Sequence, residues 1–204
     1  DEVCRRCFKD TPSFRAIAKN WVNEAQQKIS VIANGKWWWL ETSECFEINA
    51  NDTQITLPAD YFELVDANSV KDITNGIILK HLDHKEFESV KTSLIGQPDK
   101  FCVYSKSIDG SRILSFDPVS GGARTLFISY YKVLPDMQNE SDVSEIPYWY
   151  QYLLIEFAVM RGHEYRQQAE MAQIARSNWL EGIGQLMIEA DKHNSLQAKP
   201  KWRW

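Results

Sequence analysis

The sequence predicts an α+β chain. A helical body, built from an N-terminal helix and long C-terminal helices, carries an inserted antiparallel β-sheet or barrel module. Three observations lead there. Apolar residues recur at three- and four-residue steps through 14–32. Between 37 and 133 short apolar runs alternate with turn signals. After Pro147 a helical pattern resumes and runs to about residue 190. The boundaries read from these changes are an N-terminal segment and helix at 1–36, a β module at 37–134, an acidic linker at 135–146, C-terminal helices at 147–192 and a tail at 193–204.

The first helix has Thr11 or Ser13 as its cap and Pro12 near its start. Phe14, Ile17, Ala18, Trp21, Ala25, Ile29 and Ile32 form one apolar face. Asn34-Gly35 closes it, glycine supplying the left-handed backbone that helix ends favour. Trp37-Trp38-Trp39 then reads as a strand, with Trp38 on the side opposite its neighbours, a pattern of packing at a seam rather than of ligand stacking. Further strands are expected at 44–48, 54–57, 101–105, 112–116 and 126–131, with hairpin turns at Asn75-Gly76 and Asp109-Gly110 and a short helix at 85–92. The loop at 117–122 separates the last two strands.

The segment IPYWYQYLLIEFAVM carries almost nothing polar between 148 and 160 except Gln151 and Glu156. A helix that is apolar on nearly every side must be enclosed by protein or lipid. Thirteen residues rise only about 20 Å, short of the roughly 30 Å bilayer core, so protein is the expected cover and neighbouring subunits are the expected source. Gly162 is expected to mark a bend. Beyond it Tyr165, Ala169, Ala172, Ala175, Trp179, Ile183, Leu186 and Ala190 make a stripe of nearly heptad spacing.

Composition narrows the function classes. A net charge of −5 argues against a protein that coats nucleic acid, though not against one that DNA passes. Eight Trp and eight Tyr add contact area of the type enriched at interfaces. The start DEVCRRCFKD is polar and no apolar run follows, so no secretion signal is expected; four Cys suit a reducing compartment. Cys4-Arg5-Arg6-Cys7 has zinc or redox spacing but lacks a second ligand pair. His81, Asp83 and His84 put at most two side chains on one face, 81 and 83 on a strand or 81 and 84 on a helix, with no third ligand evident, and His163-Glu164 fails the zinc-protease pattern because residue 167 is Gln. No catalytic, cofactor-binding or metal-binding residue is therefore expected.

The order of features resembles the head-to-tail adaptor family of tailed bacteriophages (head completion, or tail tubular protein A-like, proteins). The residues that carry the resemblance are Trp21-Val22-Asn23-Glu24-Ala25-Gln26, Trp37-Trp38-Trp39-Leu40-Glu41, Ile55-Thr56-Leu57-Pro58-Ala59-Asp60-Tyr61, Ser129-Tyr130-Tyr131-Lys132-Val133-Leu134-Pro135 and the Ile146-Pro147 start of the C-terminal helices. The resemblance implies a structural protein of the virion neck, assembled in the host cytoplasm. It implies a dodecameric homo-oligomeric ring between portal and tail or nozzle protein, lining the channel through which double-stranded DNA is ejected, with no membrane and no cofactor.

By position, Lys199, Lys201, Trp202, Arg203 and Trp204 would meet the portal. Trp149, Tyr152, Phe157, Tyr165 and Trp179 would meet neighbouring subunits, and Asn51, Asp52, Asp117 and Gly121 would face the tail or the channel. The acidic linker (Asp136, Glu140, Asp142, Glu145) would repel passing DNA. Two other readings stand beside this one: a β module that binds carbohydrate through exposed Trp, and a small metal-dependent hydrolase using His81, Asp83 and His84.

Overall fold

Thr11 and Pro12 start the first long helix. The Thr11 hydroxyl accepts the Phe14 N–H at 3.3 Å, and Pro12 occupies a first-turn position where no N–H is missed. A computed structural model describes residues 2–92, 94–105, 111–139 and 141–197, with backbone alone at 33, 34, 105 and 194–197. In chain order the α-helices are α1 (Glu2–Arg6), α2 (Pro12–Val31), α3 (His84–Val90), α4 (Tyr152–Tyr165) and α5 (Ala169–Gln197). The chain sorts into two units, Asp1–Trp39 with Leu134–Trp204, and Leu40–Val133.

In the helical unit, α4 is the centre. Its Leu153, Leu154, Phe157, Ala158, Val159 and Met160 are all buried within this single chain. The expectation that neighbouring subunits cover this segment is corrected here: α1, α2 and α5 all pack against it. Phe157 meets Trp179 with ring centroids 5.4 Å apart, and Lys28 lies 5.7 Å from the Phe157 ring centre. Each large apolar side chain enclosed this way contributes about 1.5–3 kcal/mol, which three helices of the same chain suffice to collect.

Gly162, expected at a bend, lies inside α4. A Cβ there would sit 2.5 Å from the Cys7 sulfur and 3.4 Å from the Trp21 ring, so glycine lets the end of α1 and α2 approach the α4 backbone. The chain turns three residues later. Gln167 takes a left-handed φ of 58°, its N–H bonds to the Glu164 carbonyl at 2.9 Å, and the Gln168 N–H reaches the His163 carbonyl at 2.9 Å. This is a Schellman ending, with Gln where glycine is commonest. α5 then continues well past residue 192, so the expected tail begins later than the sequence suggests.

The tryptophan triplet is not a strand. Trp38–Leu40 is a 3-10 helix, and the Trp37 and Trp39 rings stack at 4.5 Å. Trp37 is fully buried and donates its indole N–H to the Ile29 carbonyl at 2.8 Å, while Trp38 stacks on His193 at 4.3 Å.

In the second unit the strands form open sheets; no barrel closes among the described residues. One sheet runs β1 (Glu41–Ile48), β11 (Arg124–Lys132), β4 (Val70–Asp72) and β5 (Ile77–Ile78), with β3 (Tyr61–Leu64) also on β11, all antiparallel. The other runs β2 (Gln54–Thr56), β9 (Arg112–Asp117), β8 (Lys100–Ser105) and β6 (Lys80–His81), of which the β6–β8 pair is parallel. A parallel pair, β7 (Ile95–Gly96) with β10 (Val119–Ser120), stands apart. Leu126, Ile128 and Tyr130 alternate inward from β11 and meet Phe101, Leu114 and Phe116 from the other sheet in one core. The 73–76 turn closes on Gly76, at φ 70°. The expected Asp109-Gly110 turn lies outside the described residues.

Candidate functional site

The acidic 135–146 segment is not a free linker. Lys19, Asn23, Gln26 and Gln27 recur along one side of α2 and bind it by its backbone. Lys19 donates to the Gln138 carbonyl, Gln26 to that of Pro135 at 2.8 Å, and Gln27 to that of Leu134 at 2.9 Å. The segment is a strap laid on the helix. Beneath its edge lies a recess of about 240 Å³ with Leu134, Pro135, Met137 and Val143 as apolar lining. Gln26, Asp136, Asp142 and Glu145 complete its lining among the described residues. Backbone N–H groups of Asn139 and Gln138 hold the Asp142 carboxyl below its ordinary range, so it is charged at neutral pH. Glu140 lies outside the described residues.

Several large side chains of the helical unit meet solvent. Tyr148 is 77% exposed, Trp149 79% and Phe8 82%. Tyr148 and Trp149 open the 3-10 turn Tyr148–Tyr150 ahead of α4 and contact each other edge to face at 5.6 Å. On α5, Ile174, Leu180 and Ile188 are exposed, while Ala172, Ala175, Ile183 and Leu186 are buried. Of the five residues read from the sequence as subunit contacts, Trp149, Tyr152 and Tyr165 are exposed, Trp179 is half-buried, and Phe157 is 3% exposed. Phe157 is covered by its own chain and offers a neighbour nothing.

Phe8 is the residue that sequence reading passed over. It follows α1 at φ 49°. Its N–H bonds to the Arg5 carbonyl at 3.2 Å, and the Lys9 N–H bonds to that of Cys4 at 3.1 Å. That is a second Schellman ending, here with a bulky aromatic in the left-handed position. Such strain costs about 1–3 kcal/mol, and leaving the ring in water forgoes its burial as well. The only hint in the sequence is that Cys7-Phe8-Lys9 ends a short helical run without a glycine.

In the β unit, Asn51 and Gly121 are brought to the same place. The Asn51 N–H bonds to the Ser120 carbonyl at 2.8 Å, and Ser120 returns its N–H to the Asp52 carbonyl at 3.2 Å. Asn51 and Gly121 are exposed and Asp52 is half-buried. Asp117, expected on a channel-facing loop, is buried at 1% exposure, accepting from the Thr92 N–H at 2.8 Å and its hydroxyl at 3.1 Å. It ends β9 and, buried within its own unit, ties down the chain after α3.

The remaining chemistry candidates are placed as follows. Cys4 and Cys7 are free and buried, and burial pushes the Cys7 thiol up. His81 packs on Phe101 at 5.0 Å, Asp83 caps α3 by accepting the Glu86 N–H at 2.8 Å, and His84 packs edge-on to Tyr104 at 4.9 Å. No three His, Cys, Asp or Glu side chains are grouped to hold a metal ion among the described residues. No described helix is long and apolar enough to cross a membrane. Lys199, Lys201, Trp202, Arg203 and Trp204 lie outside the described residues.

The model of the SU10 adaptor protein family matches residues 1–200, and the chain belongs to that family. No curated protein matches the chain significantly.

Proposed function

From its membership of the SU10 adaptor family, a family of phage adaptor-type structural proteins, we propose that this chain is a head-to-tail connector of the virion neck. Copies form a ring, expected to be dodecameric, that binds the portal on one side and the tail or nozzle protein on the other, and DNA passes through its channel during ejection. One observation supports this most: the helical unit buries its own apolar centre completely yet leaves Phe8, Tyr148 and Trp149 in solvent. Aromatic residues exposed at such cost mark contact surfaces. The Lys199–Trp204 tail remains the proposed portal contact, and the loops at Asn51, Asp52 and Gly121 the proposed tail or channel contacts.

The carbohydrate-binding reading loses its basis in the triplet, since Trp37 is buried and stacked on Trp39. The hydrolase reading loses its geometry, since Asp83 is spent as a helix cap.

Size-exclusion chromatography with mass measurement, on the chain alone and mixed with portal protein, tests the proposal. A portal-bound ring is expected. A chain that stays monomeric and unbound beside portal would overturn it.

A further inference from the structure

β1 is an outermost strand of its sheet. It pairs with β11 from Glu41 to Ile48 in unbroken antiparallel register, and with no other described strand. In such a pair alternate residues turn both backbone groups toward the partner, and the residues between turn both away. Bonds on the far side of β11 fix which residues do which. Ser129 donates its N–H to the Ser69 carbonyl at 2.9 Å and accepts the Val65 N–H at 3.3 Å, while Thr125 accepts the Ile73 N–H at 3.0 Å. Those β11 residues turn away from β1. Ser43 stands opposite Ser129 and Glu47 opposite Thr125, with Cys45 midway. The N–H and C=O groups of Ser43, Cys45 and Glu47 therefore point outward from the sheet, without a partner among the described residues.

Edge strands are commonly blunted by Lys, by Pro, by a bulge, by shortness or by a covering segment. The sequence ETSECFEI has neither Lys nor Pro, its register is unbroken, and it is eight residues long. Glu41, Ser43, Glu44, Cys45 and Glu47 are exposed along it, while Phe46 and Ile48 turn to the core. Its charge is of one sign. The Thr125 hydroxyl donates to Glu47 at 3.0 Å, and the Tyr130 hydroxyl lies beside Glu44. Neutral donors leave the charge in place, and none of Glu41, Glu44 and Glu47 has a cationic partner among the described residues.

We propose that β1 is where the tail protein adds a strand to this sheet. An extended segment of that protein pairs its backbone with Ser43, Cys45 and Glu47 and sets Lys or Arg against Glu41, Glu44 and Glu47. A row of outward N–H and C=O groups at alternate residues is satisfied by another strand, which is the chemistry of strand addition. The single sign of the side chains selects a basic strand. It also disfavours the β1 edge of a second copy. The antiparallel register centred on Glu44 would set Glu44 against Glu44 and Glu41 against Glu47, and like charges directly opposite destabilise a pair. β1 runs straight into the turn that carries Asn51 and Asp52, the proposed tail contact, so edge and loop make one continuous surface. The proposal rests on the tail attachment proposed above and names the chemistry of that contact.

The test is residue-resolved amide hydrogen exchange on the full chain bound to portal, before and after adding purified tail protein of the same virion. Before addition, Thr42, Glu44 and Phe46 should exchange slowly and Ser43, Cys45 and Glu47 fast. Tail protein should slow the second set about tenfold or more. Bound tail protein that leaves the second set fast would overturn the strand addition and leave tail attachment standing. Tail protein that does not bind at all would overturn both. A second set already slow before tail protein is added would mean that a second copy occupies the edge, and would also overturn the proposal. Cys45→Pro supplies an independent measurement. It removes an outward N–H and leaves the bonds to β11 in place, the one setting in which a sheet edge tolerates proline. Its melting temperature should stay close to that of the unaltered chain while tail binding weakens about tenfold or more. A folded Cys45→Pro chain that binds tail protein as well as the original refutes the proposal.

Discussion

Asn23 and Met137 bind each other twice: the Asn23 side-chain amide donates to the Met137 carbonyl at 3.2 Å, and the Met137 N–H donates to the Asn23 side-chain oxygen at 3.1 Å. The amide of Asn23 thus satisfies both backbone groups of Met137, as a neighbouring strand would. With Gln26 and Gln27 one turn further on, it fixes the strap to α2 and so shapes the recess.

Removing that double bond should loosen the strap without unfolding the helices. Asn23→Ala is expected to cost about 1–3 kcal/mol and to speed amide hydrogen exchange at Met137 and its neighbours. Exchange unchanged at Met137 would show that the strap is held by something else.

Gly162 should be intolerant of even one methyl group. Gly162→Ala places a Cβ against the Cys7 sulfur and is expected to cost about 1–3 kcal/mol in chemical unfolding. Cys7→Ala in the same chain removes the clashing atom, so the double variant should recover part of the loss. Additive losses in the double-mutant cycle would place the cause elsewhere.

Legibility in the sequence varied with how local the cause was. The helix at Pro12–Val31 and its Thr11 cap were legible because periodicity and capping are properties of adjacent residues. The covering of α4 was not, because an apolar run shows that enclosure is needed and not which segment supplies it. Gly162 illustrates the same limit: its use depends on Cys7, which is remote in sequence and touches it only after folding. The triplet Trp37-Trp38-Trp39 misled because aromatic residues favour strands on average, while here mutual stacking and the bond from Trp37 to Ile29 decide the backbone. Exposed Tyr148 and Trp149 belonged to the run read as needing cover, and Phe8 gave no periodic signal at all.

Acid should weaken the β unit through Asp72. This buried carboxylate is pushed up by burial, but hydrogen bonds from Asn75 and Arg124 outweigh that and hold it below its ordinary value. A group with a depressed folded-state pKa stabilises above its unfolded pKa, about 3.9 for Asp, and the contribution disappears as pH falls through the folded value. The urea midpoint of the original chain should therefore exceed that of Asp72→Asn by its full margin at pH 6 and lose that margin below about pH 4. A margin independent of pH would contradict this.

Trp149→Ala separates assembly from stability. The side chain is 79% exposed, so unfolding free energy should change by no more than about 0.5 kcal/mol, while ring formation or portal binding weakens. A large loss of stability would mean that the indole packs within its own chain.

The most direct measurement of the central claim is a cryo-EM reconstruction of the full chain bound to portal protein. The expected result is a closed ring of copies joined through their helical units, with Phe8, Tyr148 and Trp149 covered by neighbouring protein. A complex in which single copies decorate the portal without touching one another, those aromatics still in solvent, would contradict it.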